Sequence, residues 1–457
     1  MTQTNPTSNK PAPDGTSPRL ARRLGLFDAT MIVMGGIIGS GIFINPSVVA
    51  RRVHDPLLIL GAWAVGGLIA LAGAFIYAEL ADLRPDVGGQ YAYIREAFHP
   101  AAAFIYGWTL LLVVQSGGMA AVAITFARYF LDLTQLAIAD WLVAAAALAA
   151  LTLINCFGVR SGSSVQSVLM VLKILAILSL IVFGLTVSGV HGSTGAQVSE
   201  PADLSLITAF GAAMVPVLFA YGGWQTSSFV AGEMREPRKN LPRGLLIGVM
   251  GVITLYLLVN FVCVHALGTE GLANTSTPAS EVMQLALGEK GRQFIAVGIA
   301  ISTLGFLSQG MLTAPRVYFA MADDRLFFKV VAWVHPRTRV PVVAIALQGV
   351  FAIVIATSGK YEQILNYVVS VDSIFFGLTA ACLFAFRKRS ALGDQDPLEK
   401  SYALRVNALV IIVFIIAEWL VAASAIYKDP RNSIIGVVIL LAGIPVYLFW
   451  RGRKKRG

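Results

Sequence analysis

The chain of 457 residues is 56% hydrophobic and only 13% charged, which excludes a soluble globular domain. Its 35 Lys and Arg residues outnumber its 25 Asp and Glu residues, and the resulting net charge of +10 could suit a nucleic acid. The distribution of these charges along the chain excludes that partner, as the loop counts below indicate.

About twelve apolar segments, each about 20 residues long, predict helices that cross a hydrocarbon core about 30 Å thick. Backbone groups in lipid must pair within helices or closed barrels, and barrel strands would alternate in short segments that this sequence lacks. The predicted fold class is therefore an all-α membrane protein. The spans centre near residues 28–50, 57–81, 98–130, 136–156, 161–189, 204–232, 241–267, 291–320, 341–358, 361–386, 403–425 and 432–450.

Residues 1–26 are polar and rich in Pro, Ser and Thr, and they predict a disordered cytoplasmic tail rather than a signal peptide. With this end taken as cytoplasmic, alternate loops carry 26 and 8 Lys and Arg residues on the two sides. The positive-inside rule then predicts that both termini are cytoplasmic, with residues 451–457 as a basic tail. We expect a bacterial plasma (inner) membrane and no nucleic-acid partner.

The first span contains "IVMGGIIGSGIF", residues 32–43, with four glycines around Ser40. A glycine inside a helix costs about 1 kcal/mol relative to alanine. Small residues at this spacing also let two membrane helices pack closely, so the motif alone leaves packing and a local break in the helix as alternatives.

The fifth span contains Lys173 within "VQSVLMVLKILAILSLIVF", with no opposite charge within seven residues. An intramembrane lysine costs about 3 kcal/mol on insertion scales, so it is a functional candidate. The alternative is that its side chain extends to the membrane surface. Lys173 lies roughly 20 Å along the helix from Arg160, which is deep for that explanation.

The sixth span contains "LFAYGGWQTSSFVAGE", residues 218–233, and again has a glycine pair near its middle. Five spans separate the two motifs, so the second group of five spans begins on the opposite side of the membrane. Corresponding glycine interruptions in two inverted halves indicate a transporter binding site, which favours broken helices over simple packing. The predicted units are residues 27–189 (first repeat), 204–386 (second repeat) and 403–450 (spans 11 and 12).

Other features concern loops, carboxylates and cysteines. Thr277 and Pro278 predict a short helix in the 268–290 loop. Glu79 and Glu233 fall at helix ends, where we expect them to pair with nearby arginines. The three cysteines, Cys156, Cys263 and Cys382, fit buried small hydrophobic residues better than disulfide or metal ligands.

Four stretches make the sequence resemble the amino acid/polyamine/organocation (APC) transporters, most of all the L-type amino acid transporter branch. They are "GGIIGSGIF", "FAYGGWQTSSFVAGEMREPRKNLPRG", "ELADLRPDVGGQYAYIREAF" and "LSQGMLTAPRVYFAMADD" followed by "HPRTRVP". The resemblance covers about residues 25–450. It implies a leucine-transporter-type fold, with two five-helix inverted repeats plus two extra helices, and alternating access.

The resemblance also implies a substrate site built mainly from backbone. Free N–H groups at the start of a half-helix suit a carboxylate, freed carbonyls suit an ammonium, and glycine lets the ligand approach the chain. By this likeness the carboxylate lies at the N–H groups around Ser40, Gly41 and Ile42, and the Ser40 hydroxyl either adds a contact or only packs. The ammonium lies at carbonyls near Ile37, Ile38, Phe219, Ala220 and Gly222.

Side-chain roles follow from the same resemblance. Phe219 is the expected aromatic gate, and Gln225 and Trp224 are expected to line or support the pocket, although Trp224 could equally be a packing residue. Lys173 is expected to fill the space where sodium-coupled relatives hold sodium, or itself to carry a proton. The candidate pocket walls in span 3 are Val113, Val114 and Gly117.

The predicted function is sodium-independent transport of neutral L-amino acids, as an exchanger or a proton-linked carrier. The broken centres of spans 1 and 6 and the middle of span 3 contain no Asp or Glu, which disfavours a cationic substrate. A cationic amino acid or polyamine carrier and an amino acid sensor remain alternatives. A channel would need a continuous polar lining, which the sequence does not show. No P-loop, metal-ligand cluster or GxSxG motif indicates an enzyme, a cofactor or a metal.

A covalent partner is not expected. The loop near residues 131–136 has no cysteine, whereas the animal heteromeric transporters use one there to join a glycoprotein. Gln225 also replaces the asparagine of many L-type members, so the side-chain preference of that branch does not transfer to this chain.

Overall fold

The computed structural model describes residues 24–84, 88–157, 159–189, 204–358, 361–391, 405–428 and 430–454, and every regular segment among them is helical. Ten helical segments in this part are long and apolar enough to cross a membrane, and two shorter apolar helices, Asp140–Cys156 and Val342–Thr357, accompany them. The predicted all-α membrane class is therefore confirmed. Residues 1–23 and 455–457, which belong to the two predicted tails, lie outside the described residues.

The first half contains α1 (Leu26–Ile37), α2 (Gly41–Val53), α3 (Pro56–Leu83), α4 (Gln90–Ala97), α5 (Pro100–Thr109), α6 (Gln115–Thr134), α7 (Asp140–Cys156) and α8 (Val159–Gly184). The second half contains α9 (Leu204–Tyr221), α10 (Pro237–Asn274), α11 (Pro278–Leu287), α12 (Glu289–Thr313), α13 (Pro315–Asp323), α14 (Val342–Ser358) and α15 (Tyr361–Ala391). The last two helices are α16 (Ala408–Lys428) and α17 (Pro430–Lys454).

The first predicted span is two helices, because α1 ends at Ile37 and α2 begins at Gly41. Ile38 between them has an extended backbone, with φ −74° and ψ 93°. The last residues of the predicted tail are ordered: the Glu233 carbonyl accepts from the Leu24 N–H (3.1 Å), and the Leu24 carbonyl accepts from the Arg235 N–H (2.8 Å). The chain entering span 1 is thus joined to the end of span 6.

The sixth predicted span is also divided. Helix α9 ends at Tyr221, Gly223 has φ +106°, and a 3₁₀ helix follows over Trp224–Glu233. Three hydroxyls of this segment donate to carbonyls three residues earlier: Thr226 to Gly223 (2.7 Å), Ser227 to Trp224 (3.0 Å) and Ser228 to Gln225 (2.7 Å). These bonds match the three-residue repeat of a 3₁₀ helix.

The third predicted span contains an irregularity that the sequence does not reveal. A π-helical segment, Leu110–Val114, separates α5 from α6. Because a π turn holds more than the usual 3.6 residues, it rotates all following side chains about the helix axis. This rotation decides which faces of α6 meet the other helices.

The helices pack through small residues where they cross. A Cβ on Gly244 of α10 would lie 2.7 Å from the Ala29 Cβ of α1, and a Cβ on Gly248 would lie 2.6 Å from Val33. Such small residues allow two membrane helices to approach closely. The short helix predicted after Thr277 is α11, although the Thr277 side chain makes no capping hydrogen bond.

Buried ion pairs join the elements at the end of the bundle that carries Leu24. Arg316 of α13 donates to Glu233 at 2.7 Å, and both side chains are buried. Arg387 of α15 donates to Glu79 of α3 at 2.7 Å, and the Glu79 carboxylate also accepts from the Val406 N–H at 2.8 Å. The expected pairing of both glutamates with arginine is therefore confirmed.

Candidate functional site

A cavity lies where the two broken helices meet. The broken segments form one part of its wall, and α3, α6, α12, α15 and α16 form the rest. Its lining residues are Gly36, Ile37, Gly39, Ser40, Gly41, Ile69, Ala70, Val114, Gln115, Gly118, Val122, Leu218, Phe219, Ala220, Tyr221, Gly222, Gly223, Trp224, Gln225, Thr226, Phe306, Gln309, Val368, Val369, Asp372, Ser373, Phe376 and Glu418.

The start of α2 points its backbone into this cavity. The first turn of a helix leaves its N–H groups without partners inside the helix, and these groups carry the positive end of the dipole. Ser40 precedes that turn, is fully buried, and its Oγ has no hydrogen-bond partner among the described residues. A Cβ on Gly41 would lie 2.8 Å from the Ala220 Cα, so glycine permits this close approach of α2 and α9.

The two breaks touch at Gly36 and Gly223. A Cβ on Gly36 would lie 2.5 Å from the Gly223 carbonyl oxygen and 2.9 Å from the Thr226 Oγ1, and a Cβ on Gly223 would overlap the Gly36 carbonyl. Gly223 also has a positive φ, which L side chains adopt with strain. The backbones of span 1 and span 6 therefore meet directly, with no room for a side chain between them.

Tyr256 of α10 connects the same two breaks. Its hydroxyl lies 3.1 Å from the Ile37 carbonyl oxygen and 3.3 Å from the Ala220 carbonyl oxygen. Both carbonyls are among those expected to receive a substrate ammonium. The sequence analysis missed Tyr256, because one tyrosine in an apolar span carries no sign of which backbone it reaches.

Lys173 lies behind the break in span 1. Its side chain is fully buried, and its Nζ donates to the Ile38 carbonyl. A Cβ on Gly305 of α12 would lie 3.7 Å from this Nζ, so the ammonium sits between the span 1 break and span 8. The Ile38 carbonyl, which was expected to bind the substrate ammonium, therefore already has a cationic partner.

Most of the predicted substrate residues line the cavity, namely Ile37, Ser40, Gly41, Phe219, Ala220, Gly222, Trp224, Gln225 and Val114. Ile38, Ile42, Val113 and Gly117 do not line it. A Cβ on Gly117 would lie 2.9 Å from Val368, so this glycine serves the packing of α6 on α15. In span 3 the cavity is lined instead by Gln115, Gly118 and Val122 after the π segment.

Aromatic rings form part of the wall. Trp224 stacks on Phe376 with centroids 5.2 Å apart and an 18° interplanar angle, and Tyr77 meets Trp224 edge-on at 4.7 Å. Trp224 thus lines the cavity and also packs. Phe306, which sequence reasoning missed, covers the span 1 break: a Cβ on Gly39 would lie 3.1 Å from its ring.

Gln225 supports the break as well as lining the cavity. Its side-chain Oε1 accepts from the Gly223 N–H at 3.0 Å. The backbone turn at Gly223 therefore has a side-chain partner supplied two residues later.

Two carboxylates also line the cavity, Asp372 of α15 and Glu418 of α16. The broken centres of spans 1 and 6 and the middle of span 3 contain no Asp or Glu, but spans 10 and 11 bring two carboxylates to the cavity wall, so a cationic substrate is not disfavoured by the cavity as a whole. The sequence did contain a signal, because an acidic residue in the apolar stretches "VVSVDSIFFG" and "IIAEWLV" is costly in a membrane. Only the folded chain shows that both residues reach the same space.

Comparisons with known proteins show similarity to amino acid transporters along almost the whole chain. The family model described as amino acid permease matches residues 24–449. The serine/threonine exchanger SteT of Bacillus subtilis is 31% identical over 446 residues, which cover 96% of this chain and 98% of that protein. The human large neutral amino acids transporter small subunit 2 is 28% identical, covering 95% of this chain and 82% of its own length. The mouse b(0,+)-type amino acid transporter 1 is 27% identical over 443 residues, which cover 94% of this chain and 88% of that protein.

Proposed function

The chain belongs to the amino acid permease family of membrane transporters, and we propose that it exchanges neutral L-amino acids without sodium by alternating access. Amino acid transport follows from the family; the substrate class, the coupling and the site residues are the proposal. Membership also makes this chain a transporter rather than an enzyme.

One observation carries the proposal: the interrupted ends of both broken helices line one cavity. The start of α2 carries N–H groups, and the ends of α1 and α9 carry the Ile37 and Ala220 carbonyls, of which the one hydroxyl hydrogen of Tyr256 can satisfy only one at a time. An amino acid presents a carboxylate and an ammonium on neighbouring atoms, and both must exchange water for protein partners. Opposite helix ends supply partners for both charges.

Sodium independence is supported by the position of Lys173. A buried ammonium that donates to the Ile38 carbonyl already places a positive charge between span 1 and span 8. A sodium ion in the same space would be repelled by that charge and would compete for the same carbonyl.

Neutral substrates are supported by the wall and by the relatives. Near the breaks the wall includes Ile69, Val114 and Phe219, which can cover an uncharged side chain. SteT is a serine/threonine exchanger, and the human relative is a transporter of large neutral amino acids. A cationic amino acid is the second candidate, because Asp372 and Glu418 line the cavity.

We further propose that the transporter works without a disulfide-linked subunit, in a bacterial inner membrane with both termini cytoplasmic. The human relative is called a small subunit, which concerns an assembly of that protein. In this chain residues 131–136 contain no cysteine with which to form such a link.

The test is counterflow in proteoliposomes that contain the purified protein and an unlabelled amino acid, with sodium replaced by choline. Labelled serine, threonine, alanine and leucine measure the neutral class, and arginine, lysine and putrescine measure the second candidate. We expect exchange of at least one neutral amino acid without sodium and weak competition by the cations. Strict dependence on sodium, or counterflow of arginine or putrescine alone, would reject the proposal.

A further inference from the structure

Asp372 and Glu418 occupy one end of the cavity, on the neighbouring helices α15 and α16. Glu418 is 4% exposed, and its carboxylate is close enough to Asp372 for the two to interact electrostatically. The Ser373 hydroxyl lies beside Glu418. Two acidic side chains, one half-buried and one buried, therefore line the same cavity.

Neither carboxylate has a cationic partner in the part of the chain that the structure describes. Glu79 and Glu233, which are also buried, form ion pairs with arginine, whereas no Lys or Arg lies within ion-pair distance of Asp372 or Glu418. The titratable groups that face Asp372 from α3, α5 and α16 are Tyr77, Tyr106 and Glu418. Tyrosines are neutral at ordinary pH and do not compensate a carboxylate.

Two neighbouring carboxylates in a poorly solvated site cannot both remain ionised. Either the pair holds a proton or a cation binds to it. Val368, Val369 and Phe376 lie within about one turn of Asp372 on the same helix and also line the cavity, and their side chains accept no hydrogen bonds. Beyond the two carboxylates and the Ser373 hydroxyl, a guanidinium with five donors would therefore find few acceptors there, whereas a proton needs no more than the pair itself.

We propose that Asp372 and Glu418 form a proton-binding site in the wall of the cavity, and that one proton bound there crosses the membrane with each amino acid. This inference rests on the proposed function of the same cavity. Ser40 gives independent support that the cavity receives a polar ligand, because this residue lines the cavity and its buried hydroxyl has no partner among the described residues.

Coupling follows from the charge of the pair. When the cavity is open to water, the hydrated pair exchanges its proton with the solution on that side. When the cavity closes, the pair with one proton buries a single negative charge, and the pair without a proton would bury two. Closure around a bound amino acid, which displaces water from the pair, therefore selects the protonated pair, whereas an empty cavity keeps its water and can close on the unprotonated pair. During amino acid exchange one proton moves inward with one substrate and one moves outward with the other, so there is no net proton flux. Net uptake of one amino acid moves one proton inward.

The experiment compares net uptake with exchange in proteoliposomes loaded with a pH-sensitive dye. With an external pH of about 5.5 and an internal pH of about 7.5, one proton per substrate supports up to about 100-fold accumulation. We expect acid-driven accumulation and internal acidification in the wild type. Asp372→Asn and Glu418→Gln should each lose both, and the ratio of net uptake to exchange of labelled for unlabelled amino acid should fall in each.

The control is Asp140→Asn, an isosteric change at a half-exposed carboxylate 3.8 Å from Arg128 and far along the chain from both helices. It should accumulate substrate as the wild type does. Wild-type exchange without any acid-driven accumulation would overturn the proton site and leave the proposed function intact. Two results would overturn the proton site in favour of a substrate-binding role for the two carboxylates. One is the loss of exchange in both variants, and the other is strong competition by arginine that either variant abolishes.

Discussion

At the scale of single residues, the crossing of Gly36 and Gly223 allows the two broken helices to meet. We predict that Gly223→Ala weakens substrate binding, because its methyl group would overlap the Gly36 carbonyl and its backbone has φ +106°. A scintillation-proximity assay with labelled serine or leucine measures the effect. We expect a loss of affinity of about 5- to 150-fold, which corresponds to a strain of about 1–3 kcal/mol.

Gly61→Ala is the matched control for that change. A Cβ on Gly61 in α3 would meet no atom within 4 Å, so alanine there should bind substrate normally and slightly favour the helix. Normal binding by Gly223→Ala would show that the backbone contact between spans 1 and 6 is dispensable.

Lys173 is the second residue whose effect can be isolated. Lys173→Ala would leave the Ile38 carbonyl without its cationic partner in a buried site, and an orphaned polar group there costs about 1–3 kcal/mol. We predict that flux falls at least about tenfold and that Lys173→Arg does not restore it, because a guanidinium is larger and planar. Flux in choline medium measures both variants. An alanine variant that transports at the wild-type rate would contradict the assigned role.

At the scale of helices, the ion pair between Glu233 and Arg316 joins the end of span 6 to α13. Both side chains are buried, at 2% and 0% exposure. Glu233→Gln removes the charge and leaves a buried guanidinium uncompensated, which costs about 3–5 kcal/mol. We predict a large fall in thermal stability, measured by fluorescence-detected size exclusion in detergent.

The control is Glu236→Gln, three residues further along the chain. The Glu236 side chain is 70% exposed and pairs with Lys239 at 3.5 Å, so its contribution is at most about 1 kcal/mol. The two variants make the same chemical change in different environments. Equal thermal stabilities for the two would mean that the buried pair does not hold span 6 to α13.

At the scale of the whole molecule, the charge distribution predicts the orientation in the membrane. In a variant without native cysteines, Lys290→Cys in the first turn of α12 should react with an impermeant maleimide in intact cells. Arg337→Cys, in the loop before α14, should react only after permeabilisation. Both positions are exposed in the folded chain, so access to the reagent reports the side of the membrane. The reverse labelling pattern would contradict the prediction that both termini are cytoplasmic.

The sequence by itself determined the helical membrane class, the two broken helices and the isolated charge of Lys173 within an apolar span. These features are readable because each is local: apolar length, clustered glycines and an isolated charge act within one segment. The resemblance to a transporter family rested on the same local motifs.

The tertiary structure alone decided which distant groups meet. Glu79 and Arg387 lie 308 positions apart, and Lys173 and Ile38 lie 135 apart, so no local pattern could pair them. The π segment before α6 turned Gly117 toward α15 and Gly118 toward the cavity, which helical periodicity alone could not foresee. Asp372 and Glu418 were visible as charges in apolar spans, but their shared cavity depends on how α15 packs on α16.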